Sequence, residues 1–211
     1  MSVATFILGQ SGTGKSTSIQ NLDPSKVLLI QTIRKPLPFR SANWKPLTKE
    51  GGTVFVTDKA QTICDAINRT QREIIIIDDF QYMMANEFMR RTAERGFDKF
   101  TEIGRNAWDV INAATQAADN KRVYILSHTE QSESGSTKIK TIGKMLDEKI
   151  TLEGMVTICL QTAIVNGQHI FMTQNNGHNT VKSPIGLFAS EHIPNDLAAV
   201  DAAIVEYYGL A

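Results

Sequence analysis

Two cysteines, no apolar run approaching about 18 residues and no surplus of charge of either sign bound what this 211-residue chain can be. Cys64 and Cys159 show no metal-ligand spacing, so a free-thiol intracellular protein with both thiols in its core is expected. Without a long apolar run, no membrane span is expected. The first strand begins within five residues of Met1, which leaves no room for a signal or transit peptide and points to the cytoplasm. Basic and acidic residues number 22 each, so the molecule as a whole is no polyanion binder and any such contact must come from local clusters. With 42% hydrophobic residues, no internal repeat and no linker, residues 1–211 are expected to form one domain with an ordinary core.

Against those absences stands one complete motif. Gly9, Gln10, Ser11, Gly12, Thr13, Gly14, Lys15 and Ser16 spell GQSGTGKS, a phosphate-binding loop of the G-x-x-x-x-G-K-[ST] type. Thr5 to Leu8 form an apolar strand before it, and Thr17 to Leu22 can open a helix after it. In that setting successive backbone N–H groups face one concavity and the helix N-terminus adds positive potential, which suits the phosphates of ATP. Lys15 is expected to face solvent in the empty loop and to reach the β- and γ-phosphates when ATP binds. Ser16, with Thr17 as the fallback, supplies a hydroxyl for Mg²⁺, a cation that prefers hard oxygens.

Such a site needs a carboxylate at the end of a neighbouring strand. Ile74 to Ile77, followed by Asp78 and Asp79, provides one. Four consecutive isoleucines cannot form an amphipathic surface element, so they predict a strand buried on both faces of a parallel sheet. Asp78 is the expected Mg²⁺ partner. Asp79 stands where it can polarise the attacking water.

Strands are further predicted over Val27 to Gln31, Val54 to Thr57 and Val123 to Ser127, alternating with helices. One helix presents Ala60, Ile63, Cys64 and Ile67 on a single face, with Asp58 as its N-cap; another presents Ile103, Ala107, Val110, Ile111 and Ala114. Met155 to Val165 and His169 to Thr173 flank Asn166-Gly167, a hairpin signal. Pro194-Asn195-Asp196 starts a last helix carrying Leu197, Val200, Ile204 and Tyr208. The fold class is therefore α/β: a mostly parallel central sheet, helices on both faces and a C-terminal antiparallel hairpin.

This order of elements resembles the ATPase core of RecA-like recombinases over most of the chain. LDPSKVLLIQT, KPLPF, KTIGKMLDEKITLEG, VKSPIGLF and IPNDL look more closely like the small phage nucleotide-binding proteins of the Sak type. The resemblance implies a core-only RecA-like P-loop ATPase acting on single-stranded DNA in annealing and recombination, in a host cytoplasm. It further implies a homo-oligomer, ring or filament, with ATP at subunit interfaces, and other recombination or replication proteins as partners. It makes His128 a γ-phosphate sensor and Lys182 a lysine that acts on a neighbour's γ-phosphate. RecA relatives carry a water-activating glutamate at the end of the second core strand. Here Gln31, Thr32 and Ile33 stand there, so Asp79 substitutes or hydrolysis is slow.

Two clusters are candidates for DNA. Arg34, Lys35, Arg40, Lys45 and Lys49 surround Phe39 and Trp44, a mixture that suits phosphates and stacked bases, though a solvated loop anchored by two buried aromatics is the favoured reading. Glu130 to Lys149, expected to be flexible, carries Lys138, Lys140, Lys144 and Lys149 beside Gly135 and Gly143; Glu130, Glu133, Asp147 and Glu148 weaken its electrostatic case. Arg90, Arg91 and Arg95 read as a solvated helix face. Two other classes use the same loop: a helicase-loader or motor-type ATPase acting on a protein, and a small-molecule kinase, for which no Arg-rich lid is evident.

Overall fold

The computed structural model describes residues 2–132, 135–143, 146 and 149–210. Glu133, Lys144, Asp147 and Glu148 of the segment after His128 lie outside the described residues. Burial on both faces organises the sheet. All seven residues of β1 (Val3–Gly9) are buried, and so are all five of β2 (Val27–Gln31) and of the isoleucine strand β4 (Ile74–Asp78). Such strands persist only where helices cover both sides. Ala4, Phe6 and Leu8 face a core shared with α1 (Ala60–Arg69), α2 (Gln81–Arg90) and α3 (Asp98–Thr115). Val3 and Ile7 face a second core with Ile19 and α4 (Leu197–Tyr208).

β3 (Val54–Val56) and β5 (Arg122–Gln131) complete the left half of the sheet, and β7 (Ile158–Val165), β8 (Gln168–Met172) and β9 (His192–Pro194) complete the right, in the order β3-β2-β4-β5-β1-β7-β8-β9. From β3 to β7 every pairing is parallel; β8 and β9 join antiparallel. At the hairpin, Asn166 and Gly167 have φ of 51° and 78°, the doubly positive turn that the Asn-Gly pair favours. Registers place Gly9 beside His128 and Gln31 beside Asp78, so the C-terminal strand ends converge on one rim.

Several expectations need correction. The helix after the phosphate loop is a six-residue 3₁₀ segment, Ser16–Asn21. β7 begins at Ile158 rather than Met155, because Leu152–Met155 forms a 3₁₀ turn. β5 runs on to Gln131 and pairs antiparallel with β6 (Thr137–Ile139), so part of the segment expected to be flexible is a hairpin. Asp58 does not cap α1: Lys59 occupies that position, and the Asp58 carboxylate accepts bonds from Asn86 (2.8 Å) and Arg90 (2.6 Å) instead. Asp196 does cap α4, accepting from Ala198 N–H. Cys159 is buried but Cys64 only partly so, and both are free thiols. Among the described residues no helix is long and apolar enough to cross a membrane.

One buried clasp ties α4 to the sheet. Asp201 accepts two bonds from the Arg122 guanidinium, at 3.0 and 3.1 Å, and a third from the Tyr124 hydroxyl at 2.6 Å. Arg122 is 4% exposed and Tyr124 fully buried, so removing the carboxylate strands a buried hydroxyl and leaves the cation with the Asn120 carbonyl at 2.8 Å and the half-exposed Glu73 at 3.5 Å. Asp201→Ala is expected to cost about 3–5 kcal/mol in urea unfolding. A cost under about 1 kcal/mol would show that the clasp adds little to stability.

Candidate functional site

The loop from Gly9 to Ser16 turns between β1 and the 3₁₀ segment at the rim where the parallel strands end. Gly14 has φ of 104°, and a Cβ there would lie 2.1 Å from the Asn195 amide, so backbone conformation and space both demand glycine. Neighbouring elements brace the loop from outside. Asn195 Nδ2 donates to Gly14 C=O at 3.0 Å, His169 Nδ1 lies 3.0 Å from Thr13 C=O, and the Thr13 and Thr162 hydroxyls bond at 2.6 Å. Thr162 and His169 come from the β7–β8 hairpin and Asn195 from the link between β9 and α4, so only the fold brings them to the loop.

Lys15 departs from expectation. It is 6% exposed rather than solvent-facing, and its ammonium donates to the carbonyls of Gly9 and Gln10 at 2.8 Å each. Burial lowers its pKa to about 8, against the opposing charges of Asp79 and Asp78. The expectation failed because the loop's own carbonyls converge on the point where a lysine without phosphates must turn.

Ser16 Oγ donates to both oxygens of Asp78, at 2.9 and 3.1 Å, which joins the loop hydroxyl to the strand-end carboxylate. Asp78 is fully buried; burial and the adjacent Asp79 charge raise its pKa. Thr32 Oγ1 donates to the carbonyls of Asp78 (3.2 Å) and Asp79 (2.7 Å), fixing the turn in which Asp79 holds a φ of 60°. That conformation is uncommon outside glycine and is tolerated here because the turn is pinned from both sides.

The Asp79 carboxylate is buried and meets two side chains. Lys35 Nζ pairs with it, and His128 Nε2 lies 3.5 Å away. Burial raises its pKa, but the His128 and Lys35 contacts outweigh that and hold the carboxyl below the usual range. A cavity of about 240 Å³ is lined by loop residues that include Lys15, Ser16 and Thr17 and by Lys35, Pro36, Pro38, Asp79 and His128. His128 also reaches beyond the cavity: its backbone carbonyl accepts from Lys140 N–H at 2.8 Å, at the end of β6.

Lys35, grouped by sequence with a basic DNA-facing loop, thus belongs to the cavity. The signal was its position: it follows the end of a parallel strand next to β4, and such ends line the rim where ligands bind. Of its companions, Phe39 and Trp44 meet edge to face at 5.8 Å and pack on the second core, Trp44 buried and Phe39 partly so, and thereby anchor the loop. Lys138 lies 3.8 Å from Glu130 across the β5–β6 pair. Arg91 pairs with Glu87, Glu94 and Glu102, and Arg90 with Asp58, in keeping with a solvated face. Lys182 is not at the cavity. Its backbone pairs with Cys159, which lies level with Phe6, short of the rim.

In comparisons with known proteins, the chain matches no protein-family model, and no curated protein matches it.

Proposed function

We propose that this chain is a Mg²⁺-dependent, RecA-like P-loop ATPase that acts on single-stranded DNA in recombination or annealing, as a cytoplasmic homo-oligomer. The observation that carries the reading is the contact of Ser16 Oγ with the Asp78 carboxylate, beside a loop whose lysine is already folded into it. A hydroxyl and a carboxylate offer hard oxygens to Mg²⁺, which commonly takes only one or two protein ligands and completes its octahedron with phosphates and water. Among the described residues no cluster of three acidic, His or Cys side chains offers a self-sufficient cage, and this mode of binding needs none. Ser16 and Asp78 would hold Mg²⁺ there, and the ion would supply positive charge that offsets the phosphates. Lys15 would exchange two carbonyls for phosphate oxygens, Asp79 and His128 would face the γ-phosphate, and Lys182 would act on the site of an adjacent subunit.

The balanced charge and the core-packed Phe39 and Trp44, of which Trp44 is buried and Phe39 partly so, favour a second reading, an ATPase that remodels a protein partner. Phosphate release measured with and without single-stranded DNA, over a range of salt, separates the two. DNA stimulation that fades with salt supports the first; ATPase activity indifferent to DNA at low salt supports the second.

Coupling between nucleotide and DNA has a physical route. His128 faces the cavity while its carbonyl holds Lys140 at the β6 hairpin, so contact with a γ-phosphate can bias the hairpin. A ligand shifts such an equilibrium only through differential affinity. DNA affinity is expected to rise about five- to tenfold with a non-hydrolysable ATP analogue, and His128→Ala to abolish that rise while preserving nucleotide binding. Identical DNA affinity in the two nucleotide states of the unmodified protein would remove the relay.

A further inference from the structure

We propose that Lys35 is a second phosphate-binding cation of this site, supplied in cis, which leaves Asp79 for the terminal phosphate when a nucleoside triphosphate binds. The inference rests on the nucleotide reading above and names a residue that reading does not need.

Lys35 is anchored at its backbone and adaptable at its tip. Its carbonyl accepts from the buried Gln31 amide at 3.1 Å, and Pro36 and Pro38 stiffen the chain that follows. Its side chain is 39% exposed, against 5% for Asp79. The ammonium therefore rests on the open side of the pair, at the cavity, while the carboxylate is fixed in the wall. Arg34, the residue before it, lines the neighbouring groove with Leu47 and Trp44, whereas Lys35 lines both that groove and the cavity. Lys15 and Lys35 line the same cavity and repel one another, a repulsion that a polyanion bound between them relieves.

Asp79 holds the Lys35 ammonium. A γ-phosphate entering this cavity carries more negative charge than one carboxylate and competes for the same ammonium. Exchange leaves Asp79 with His128 alone and converts a wall ion pair into a contact that only the triphosphate makes. A diphosphate, one phosphoryl group shorter at this wall, leaves the Lys35–Asp79 pair closed. Lys35 thereby reads the third phosphate.

The test is equilibrium titration of ADP and of a non-hydrolysable ATP analogue, with Mg²⁺, into the unmodified protein and into Lys35→Ala, Lys35→Gln, Lys35→Arg and Asp79→Asn, each first shown to melt cooperatively. Lys35→Ala and Lys35→Gln are expected to lose about tenfold or more in affinity for the triphosphate analogue and less than about twofold for ADP. Lys35→Arg should retain most of the preference. Asp79→Asn, which frees Lys35 from its competitor, should strengthen triphosphate binding relative to ADP. Equal losses for both nucleotides, or an unchanged triphosphate-to-diphosphate ratio in Lys35→Ala and Lys35→Gln, would overturn the assignment while leaving the nucleotide site standing. Failure of the unmodified protein to bind either nucleotide would overturn both.

Discussion

Lys15→Met is expected to lower nucleotide affinity by about a hundredfold or more while leaving the empty protein as stable as the parent, or more so. Methionine keeps the length of the side chain and discards the charge. The empty protein holds that charge at a cost: burial lowers the Lys15 pKa from 10.5 to about 8, which corresponds to roughly 3 kcal/mol. A base whose folded pKa lies below its unfolded value destabilises the fold, fully below pH 8, and the penalty fades as pH rises toward the unfolded value. The two bonds to Gly9 and Gln10 offset part of this, so urea unfolding at pH 7 should show no loss. Phosphates favour the ammonium, so binding takes up a proton above pH 8. Titrations of ATP in EDTA should hold a constant affinity up to about pH 7.5 and weaken by up to tenfold per pH unit above 8. A loss of stability above about 2 kcal/mol in Lys15→Met, or an affinity flat to pH 9.5, would mean that the ammonium serves the loop and not a ligand.

How far the site can be seen without coordinates depends on whether its signal is local. GQSGTGKS between a strand and a helix start constrains its own backbone, and four isoleucines ahead of Asp78 can lie only inside a two-sided sheet; both stand where expected. The Asn-Gly turn and the start of the last helix after Pro194-Asn195-Asp196 are equally local and equally faithful. Failures occur where a distant partner decides. Asp58 has the sequence position of a cap, but Arg90 and Asn86 arrive from α2 and take its carboxylate. Lys35 sits in a basic run, yet the crossover from β2 delivers it to Asp79. Lys15 has no sequence neighbour that foretells its burial; the curl of its own loop does that. β6 has only three residues and no alternating pattern, and it exists because β5 overshoots the sheet and offers it an edge.

Asp78→Asn should separate binding from turnover most sharply. Asparagine is nearly isosteric and keeps an oxygen that can accept from Ser16 Oγ, so the loop stays in place and affinity for ADP without metal should change by less than about threefold. It loses the negative charge that would stand beside Mg²⁺, and with it much of the organisation of charge around the departing phosphate. Turnover is expected to fall by on the order of a hundredfold or more, and the Mg²⁺ concentration for half-maximal rate to rise. Stability should move the other way. Burial and the neighbouring Asp79 charge raise the Asp78 pKa above its unfolded value, so the ionised carboxylate destabilises the empty fold at neutral pH. That penalty recedes as pH falls from the folded toward the unfolded pKa. Asp78→Asn removes it at every pH, so the variant should unfold at higher urea than the parent at pH 7, and the difference should shrink on acidification. Paired carboxylates selected only for stability would not show this opposition, because their neutralisation would leave ATP turnover untouched. An Asp78→Asn protein that hydrolyses ATP at the parent rate, with unchanged Mg²⁺ dependence, would remove Asp78 from the metal site and leave the Ser16 contact as mere packing.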